Sequence, residues 1–518
     1  MDYGWISILP PLLAIALALL TQEVLLSLFV AIFIGACIAA GGPIQGFMDT
    51  LNKYLVGALT DNWNISILIF CLSIGGLIGI VEKNGGTQGI ASLIVHKAKN
   101  TKSTLFSTWL LGVLIFFDDY ANSLIVGNTM KSITDKQGIS REKLAYIVDS
   151  TAAPISSMAL ISTWVGMELG LIQTGLSNLG LELGAYDVFL RSIPYRFYSV
   201  LALVFVLILI FTGKDFGPML KAEKNAVQKM QEVDANTNSK LESTRWYNAV
   251  VPISLVVLLT IIGLYYNGGG FSGESVRDAF SNADASVVLL WASFAGIIIA
   301  GLMSKLQNIL SISEISQAFV EGVKSMAVPA MILTLAWSLG GVNGDLGTAE
   351  FMVNTIGKSV PKFLIPLMMF LVPALVAFST GTSWGTNAIV MPIAIPLAYL
   401  SGGEVLLIPT IGAVLTGAVL GDHISPISDT TIMSSMASGC DHISHVKTQI
   451  PYALSVGVVA IVFGFIPAGF GLNPFVSLTV SAVTLFILVK FIGMNPRQEP
   501  AYGSISKTSL KPIQNNSY

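Results

Sequence analysis

The chain alternates long apolar stretches with short polar interruptions. Runs approaching the length of a bilayer crossing stand at about 5–21, 23–40, 65–82, 104–117, 144–167, 193–212, 249–266, 286–304, 325–342, 362–378, 405–420, 451–468 and 473–492. A crossing helix needs roughly 20 residues, and shorter runs fit tilted or re-entrant segments. The pattern predicts an all-α polytopic membrane protein with about 10–13 membrane segments, some of them broken. The opening run, "MDYGWISILPPLLAIALALL", has no basic residue ahead of its apolar stretch, so it reads as a first membrane helix and not as a cleaved leader.

One interior stretch breaks the pattern. "GKDFGPMLKAEKNAVQKMQEVDANTNSKLESTR", Gly213 to Arg245, is charged and lacks an apolar core, so it reads as a partly helical linker. It divides the chain into a first membrane repeat at 1–212, a linker at 213–248 and a second repeat at 249–494. A polar tail, 495–518, reads as disordered. The linker carries Lys214, Lys221, Lys224, Lys229, Lys240 and Arg245, and the loop after the third run carries Lys83, Lys97, Lys99 and Lys102. The tail adds Arg497, Lys507 and Lys511, whereas the stretch "YNGGGFSGESVRDAFSNADA" holds Arg277 alone. Basic loops stay inside, so linker and tail are expected in the cytoplasm, with the protein in the plasma (inner) membrane.

The two halves repeat. "LSIGGLIG" from Leu72 and "WSLGGVNG" from Trp337 match at an offset of 265, which also pairs Phe29 with Phe294 and Gly57 with Gly322. An offset of 261 pairs Phe117 with Phe378 and Met130 with Met391, and one of 272 pairs "APISS" from Ala153 with "SPISD" from Ser425. The loop after the first motif is lysine-rich, while its counterpart opens with Asp345 and Glu350. Equivalent loops on opposite sides mean two inverted-topology repeats, an arrangement of secondary transporters with the site near the midplane.

Each half has two polar patches. "FFDDYANSLIVGNTM" (116–130) answers "FSTGTSWGTNAIVM" (378–391), and "DSTAAPISS" (149–157) answers "GDHISPISDTT" (421–431). Pro and Gly free backbone carbonyls and amides, tolerated at membrane depth only inside protein or beside a wet cavity. Freed carbonyls and Ser, Thr and Asn oxygens suit a hard cation such as Na⁺, and carboxylates within the membrane mark ion or proton pathways. A lone Ser or Thr is more commonly a packing group bonded to its own backbone. Glu23, Glu82 and Glu168 read as interfacial, as do Arg191 and Arg196 in "RSIPYRFY". His96, His442 and His445 sit beside loops and read as surface histidines, whereas His423 adjoins Asp422 inside a patch.

Composition agrees. The chain has 518 residues, 53% hydrophobic and 11% charged, with mean hydropathy +0.73, against roughly 25% charged in soluble domains. A net charge of -3 leaves no nucleic-acid footprint. Cys37, Cys71 and Cys440 lack metal-ligand spacing and read as packing residues. No phosphate-binding loop, dinucleotide fingerprint or nucleophile elbow occurs, so neither an enzyme nor a cofactor is expected.

"GDHISPISDTTIMSS", "FFDDYANSLIVGNTM" and "REKLAYIVDSTAAPISS" together resemble the NhaC-type Na⁺/H⁺ antiporters of the ion-transporter superfamily, over about residues 60–490. The resemblance implies two inverted repeats, each with a re-entrant hairpin and a broken helix, in a homodimer within lipid. Relatives exchange Na⁺ and H⁺, exchange malate and protons for lactate and sodium, or import amino acids with sodium. Carried onto this chain, the ion- or substrate-binding residues are Asp118, Asp119, Asn122, Asp149, Ser150, Thr151, Thr380, Thr382, Ser383, Asn387, Asp422, His423, Ser425, Ser428, Asp429 and Thr430. Asp119, Asn122, Thr382, Asn387, Asp422 and Asp429 are the Na⁺ ligands expected among them. In this matching the acidic pair Asp118–Asp119 falls opposite the neutral Ser379–Thr380. The leading reading is Na⁺/H⁺ antiport; the alternatives are Na⁺-coupled transport of an amino acid or small organic acid, and a channel. The patches hold no Arg, which disfavours a dicarboxylate and leaves a zwitterion open.

Overall fold

The computed structural model describes residues 3–95, 100–230, 245–348, 351 and 361–497. Of the charges used above for orientation, Lys97, Lys99, Lys240, Glu350, Lys507 and Lys511 lie outside the described residues, as does His96; so do the side chains of Lys229 and Arg277. Among the described residues the only β pairing is an isolated bridge between Asp215 and Met494. Ten helices are long and apolar enough to cross a membrane, and two bent pairs raise this to twelve. The expected all-α polytopic architecture holds.

The first half contains α1 (Leu9–Thr21), α2 (Val24–Ala40), α3 (Asn62–Lys83), α4 (Gly86–Val95), α5 (Thr101–Leu114), α6 (Asp119–Lys136), α7 (Arg141–Thr151), α8 (Ala153–Met158), α9 (Thr163–Asn178), α10 (Ala185–Ser192) and α11 (Phe197–Thr212). After α12 (Gly217–Met230) the second half supplies α13 (Tyr247–Asn267), α14 (Ala285–Leu306), α15 (Ile312–Ser325), α16 (Ala327–Asp345), α17 (Ile365–Thr380) and α18 (Ser383–Gly402). It ends with α19 (Glu404–Ile424), α20 (Asp429–Ser438), α21 (His442–Val459) and α22 (Pro474–Ile492). Short connecting helices are left unnumbered.

Both halves follow one plan. α3 packs on α14 and α15, and α16 packs on α2 and the Thr50–Thr60 segment. α5 and α6 form a hairpin with its tip at Ile115–Asp118, and α17 and α18 form another with its tip at Gly381–Thr382. α5, at 14 residues, is only about 21 Å long, short of a hydrocarbon core of about 30 Å, so its tip turns back inside the membrane. An interrupted helix follows each hairpin: α7–α8 bends by 48° into α9, and α19 breaks before α20. α6 lies against α20 just as α18 lies against α9. This reciprocal packing is that of an inverted repeat, and it brings both tips and both breaks to the centre.

The helix starts correct the repeat's register. Asp118 caps α6 and Thr382 caps α18, while Ser162 caps α9 and Ser428 caps α20. The partner of the Ser425–Ser428 break is therefore Ala159–Ser162, not Ala153–Ser157, and Asp118–Asp119 stands opposite Thr382–Ser383, not Ser379–Thr380. The letter match misled because Pro154 opens the short α8, a first-turn position that suits proline.

The described part of the linker is built into the fold. α12 packs against α21, α7 and α6, burying Phe216, Met219 and Glu223; residues 231–244 lie outside the described part. α3 and α15 cross closely, and a Cβ at Gly322 would stand 2.1 Å from the Gly75 carbonyl oxygen. Gly322→Ala is expected to cost about 1–3 kcal/mol by overpacking, seen as a lower melting temperature in detergent; an unchanged melting temperature would show that the crossing widens freely.

Candidate functional site

The centre of the protein is built from interrupted backbone. In the first half the amide of Thr163, just past the break, donates to the Phe117 carbonyl at the hairpin tip (3.0 Å). In the second, Ser425 Oγ donates to the Phe378 carbonyl (2.8 Å). Gly381 turns the second tip at φ +69°, where a Cβ would lie 2.4 Å from the Ile427 carbonyl, so only glycine fits both the angle and the approach. Serine hydroxyls receive the freed amides: Ser162 Oγ accepts from Trp164 (3.1 Å) and Ser428 Oγ from Thr431 (3.2 Å).

Five carboxylates meet across these breaks. Asp118 and Asp119 sit at the first tip, Asp149 on α7, Asp422 in the last turn of α19 and Asp429 at the start of α20. Asp119 is within electrostatic reach of Asp118 and Asp429, and Asp422 of Asp429 and Asp149, so the five form one run through both halves. Asp118, Asp119, Asp149 and Asp422 are buried, and Asp429 is exposed. Hydroxyls tie the run together. Thr430 Oγ1 donates to Asp422 (2.7 Å), and Thr431 Oγ1 contacts both Asp149 (3.1 Å) and the Asp422 carbonyl (3.3 Å). Ser434 Oγ donates to Asp149 (3.2 Å), and Tyr120 donates to Asp429. Asp118 accepts from the Ala121 amide (2.7 Å), so its capping role and its place in the run coexist.

The other expected residues divide. Asn122 Nδ2 gathers the carbonyls of Gly112 (2.6 Å), Ile115 (3.1 Å) and Thr151 (3.0 Å), so it closes the first hairpin on α7. Thr151 donates to the Ile147 carbonyl (2.8 Å), the packing role expected of a lone hydroxyl; Ser150 is buried beside it. Thr380 likewise bonds its own helix at Val376 (2.9 Å). Among the described residues no side-chain hydrogen bond joins Thr380, Thr382, Ser383 or Asn387 to the five carboxylates. His423 Nδ1 meets Tyr198 Oη (2.9 Å). The Asp422 Oδ1, Asn122 Oδ1 and Asn387 Oδ1 atoms and His423 Nε2 are buried with no hydrogen-bond partner.

Several participants lie outside the sequence expectation. Gln449 donates to Asp149 (2.5 Å) and to the His423 carbonyl (2.7 Å), and His445, expected at the surface, is fully buried between Gln449 (2.9 Å) and Ser435 (2.8 Å). Glu168 and Arg196, read as interfacial, are fully buried and form an ion pair at 2.8 Å; Arg196 also donates to the Ser157 carbonyl. Two opposite charges in neighbouring apolar runs were the available signal. Arg191, by contrast, does sit near the surface, paired with Glu404 (2.7 Å). Glu82 is half-buried in the wall of a cavity of about 440 Å³ between α3, α6 and α15, with Lys83, Asp118, Tyr120 and Glu321. Neither Asp422 nor Asp429 lines this cavity.

Comparisons with known proteins place this geometry. Residues 156–469, more than half of the chain, match the model of the Na⁺/H⁺ antiporter family. The chain belongs to the Na⁺/H⁺ antiporter family. It is 33% identical to an uncharacterized protein of Haemophilus influenzae, over 93% of this chain and 94% of that one. It is 28% identical to the malate-2H⁺/Na⁺-lactate antiporter of Bacillus subtilis over 31% of this chain and 34% of the relative. Against the arginine/ornithine antiporter ArcD of Halobacterium salinarum the identity is 27%, over 41% and 40%. The YdaH transporter of Alcanivorax borkumensis shares the fold, with TM-score 0.54 and 14% identity over 87% of this chain and 89% of that one.

Glu168→Leu leaves Arg196 buried without its partner, at an expected cost of about 3–5 kcal/mol. The double variant Glu168→Leu/Arg196→Met should lose less than Glu168→Leu alone. Unfolding in detergent measures both; a double variant as unstable as the sum of the two single changes contradicts the pairing.

Proposed function

We propose that the protein exchanges Na⁺ for protons by alternating access. The observation that carries this reading is the run of five carboxylates through both halves. Among the described residues no Lys or Arg forms an ion pair with any of the five. Buried carboxylates without a fixed counter-charge must take up a cation or a proton. When the same oxygens accept either, the two compete, and moving only the occupied site exchanges one for the other.

Asp119, Asp422 and Asp429 supply the charge for Na⁺, with neutral oxygens from Asn122, Thr382 and Asn387. The unpartnered oxygens of Asp422, Asn122 and Asn387 favour this assignment. Among the described residues no three His, Cys, Asp or Glu side chains form a ready metal centre. In this reading the protein works in the plasma membrane as a homodimer, with α12 and the tail on the cytoplasmic side.

The cavity favours a second reading. At about 440 Å³ it falls within the usual range for small-molecule sites of about 300–1,000 Å³. A zwitterionic amino acid placed there would set its amine towards Asp118 and Glu82 and its carboxylate towards Lys83.

One panel of proteoliposomes separates the readings. Antiport requires a Na⁺ gradient to move protons without added solute, with Asp422→Asn and Asp119→Asn each reducing that flux at least tenfold. Full flux in correctly folded variants would remove these carboxylates from the mechanism. Na⁺-driven uptake of amino acids without net proton movement would establish the second reading instead.

A further inference from the structure

Gln449 spends both hydrogens of its amide on Asp149 and the His423 carbonyl. Its Oε1 therefore faces His445 Nε2 (2.9 Å) as an acceptor, and that nitrogen must carry a hydrogen. His445 Nδ1 lies 2.8 Å from Ser435 Oγ, and the same Oγ lies 3.1 Å from His442 Nδ1. His442 Nε2 in turn meets the Pro426 carbonyl at 2.7 Å, inside the break between α19 and α20. A carbonyl only accepts, so this nitrogen must carry a hydrogen too.

Neutral groups cannot supply this chain. The four contacts from Pro426 to Gln449 need one hydrogen each, whereas neutral His442, Ser435 and His445 bring one each, three in all. The Thr431 carbonyl, 2.7 Å from Ser435 Oγ, competes for the same hydrogens. While both rings are neutral, one of the four contacts sets acceptor against acceptor. One added proton completes the chain in a single direction. His442 then donates at both nitrogens, Ser435 donates to His445 Nδ1, His445 donates to Gln449, and Gln449 donates to Asp149.

We propose that His442, Ser435 and His445 form a proton-binding site, separate from the five carboxylates, whose proton ties down Pro426 in the second break and, through Gln449, orients the hydrogen bond to Asp149. His442 carries the charge, because it is half-buried while His445 is fully buried. The proton enters from solution at His442 and returns there. It does not travel on to Asp149, since the Gln449 amide donates hydrogens without exchanging them along the chain; what reaches Asp149 is the orientation of that amide.

The charges around His442 allow this. Asp441, the cap of α21, is within electrostatic reach and offsets the helix start, which disfavours a positive charge. From α7, Arg141 and Glu142 reach the neighbouring Cys440, and Arg141 is itself paired with Asp135 of α6. Asp422 and His423 end α19 ahead of Pro426, and Asp429 opens α20 behind it. α11 and the segment before α12 approach α21 through Tyr198, on His423, and Asp215, on Tyr452 ten positions past His442; α22 carries Lys490. The site stands whether the cargo is Na⁺ or a solute. Its proton is lost as pH rises, and one tie of His442, to Pro426 or to Ser435, goes with it, so the second break loosens at high pH.

Nitrogen-15 NMR of the histidine rings tests the site in the full-length protein in nanodiscs, where four histidines are assigned by single substitutions. At low pH His442 should show both nitrogens protonated and His445 a bare Nδ1, and the His445 Nδ1 signal should move as His442 titrates. Ser435→Ala, which removes the atom between the rings, should weaken proton binding at His442 at least threefold and end that coupled movement. Hydrogen exchange over residues 429–438, corrected for intrinsic rates, should quicken at least tenfold as His442 loses its proton, and in His442→Ala should be fast at every pH. A His442 that binds its proton as tightly in Ser435→Ala as in the wild type overturns the proposal. Exchange over 429–438 that does not follow the His442 titration does so too. Where a variant fails to fold, the wild type decides alone: a His445 Nδ1 signal indifferent to the titration of His442 overturns the shared site.

Discussion

A helix broken inside a bilayer must find partners for its freed backbone within the protein, because lipid offers none. Here the partners are side chains at four helix starts: Asp118, Ser162, Thr382 and Ser428. Two further bonds, from the Thr163 amide to Phe117 and from Ser425 to Phe378, lock each hairpin tip to the break of its own half. The polar load at the centre thus has two sources. Part of it satisfies the breaks, and the remainder includes oxygens at Asp422, Asn122 and Asn387 that are buried without a partner.

The halves share this scaffold and differ in what they set on it. At the first tip the cap and the following residue are both aspartates; at the second they are Thr382 and Ser383. Across from the first tip stands Asp429, bonded by Tyr120, while across from the second Trp384 meets Trp164 edge-on at 5.8 Å. One crossing of the pseudo-symmetric pair is acidic and the other aromatic and neutral. The acids of the first tip are thus not repeated at the second.

The fold was legible because its signals are local. Apolar runs act within a few residues, and Gly381 and Pro426 mark the tip and the break of the second half; the first tip, 115–118, and the first break, 159–162, hold neither Pro nor Gly, and the proline of the first-half patch pointed to the wrong segment. The repeat's register was less legible: "APISS" matches "SPISD" by letter, yet Pro154 starts a helix that has no counterpart in the second half. The partners of Asp149 were illegible for a different reason. Thr431 and Ser434 lie on another helix 282 and 285 residues away, and Gln449 lies 300 away, so only tertiary packing reveals them. His445 and Glu168 were misplaced by the same gap, since position beside a loop or at the end of an apolar run does not fix depth.

Burial of Glu168 and Arg196 also bears on the cargo. Every buried Arg or Lys among the described residues, Arg196 and Lys143, already has an acidic partner, Glu168 and Asp215 respectively. Each pair is neutral overall, and each costs desolvation energy that favourable geometry must offset. Their effect on the centre is to withhold positive charge from it. Had either cation been unpaired and turned towards the carboxylate run, it would have supplied a fixed counter-charge there. Pairing the fixed cations elsewhere leaves the run without a lysine or arginine partner among the described residues.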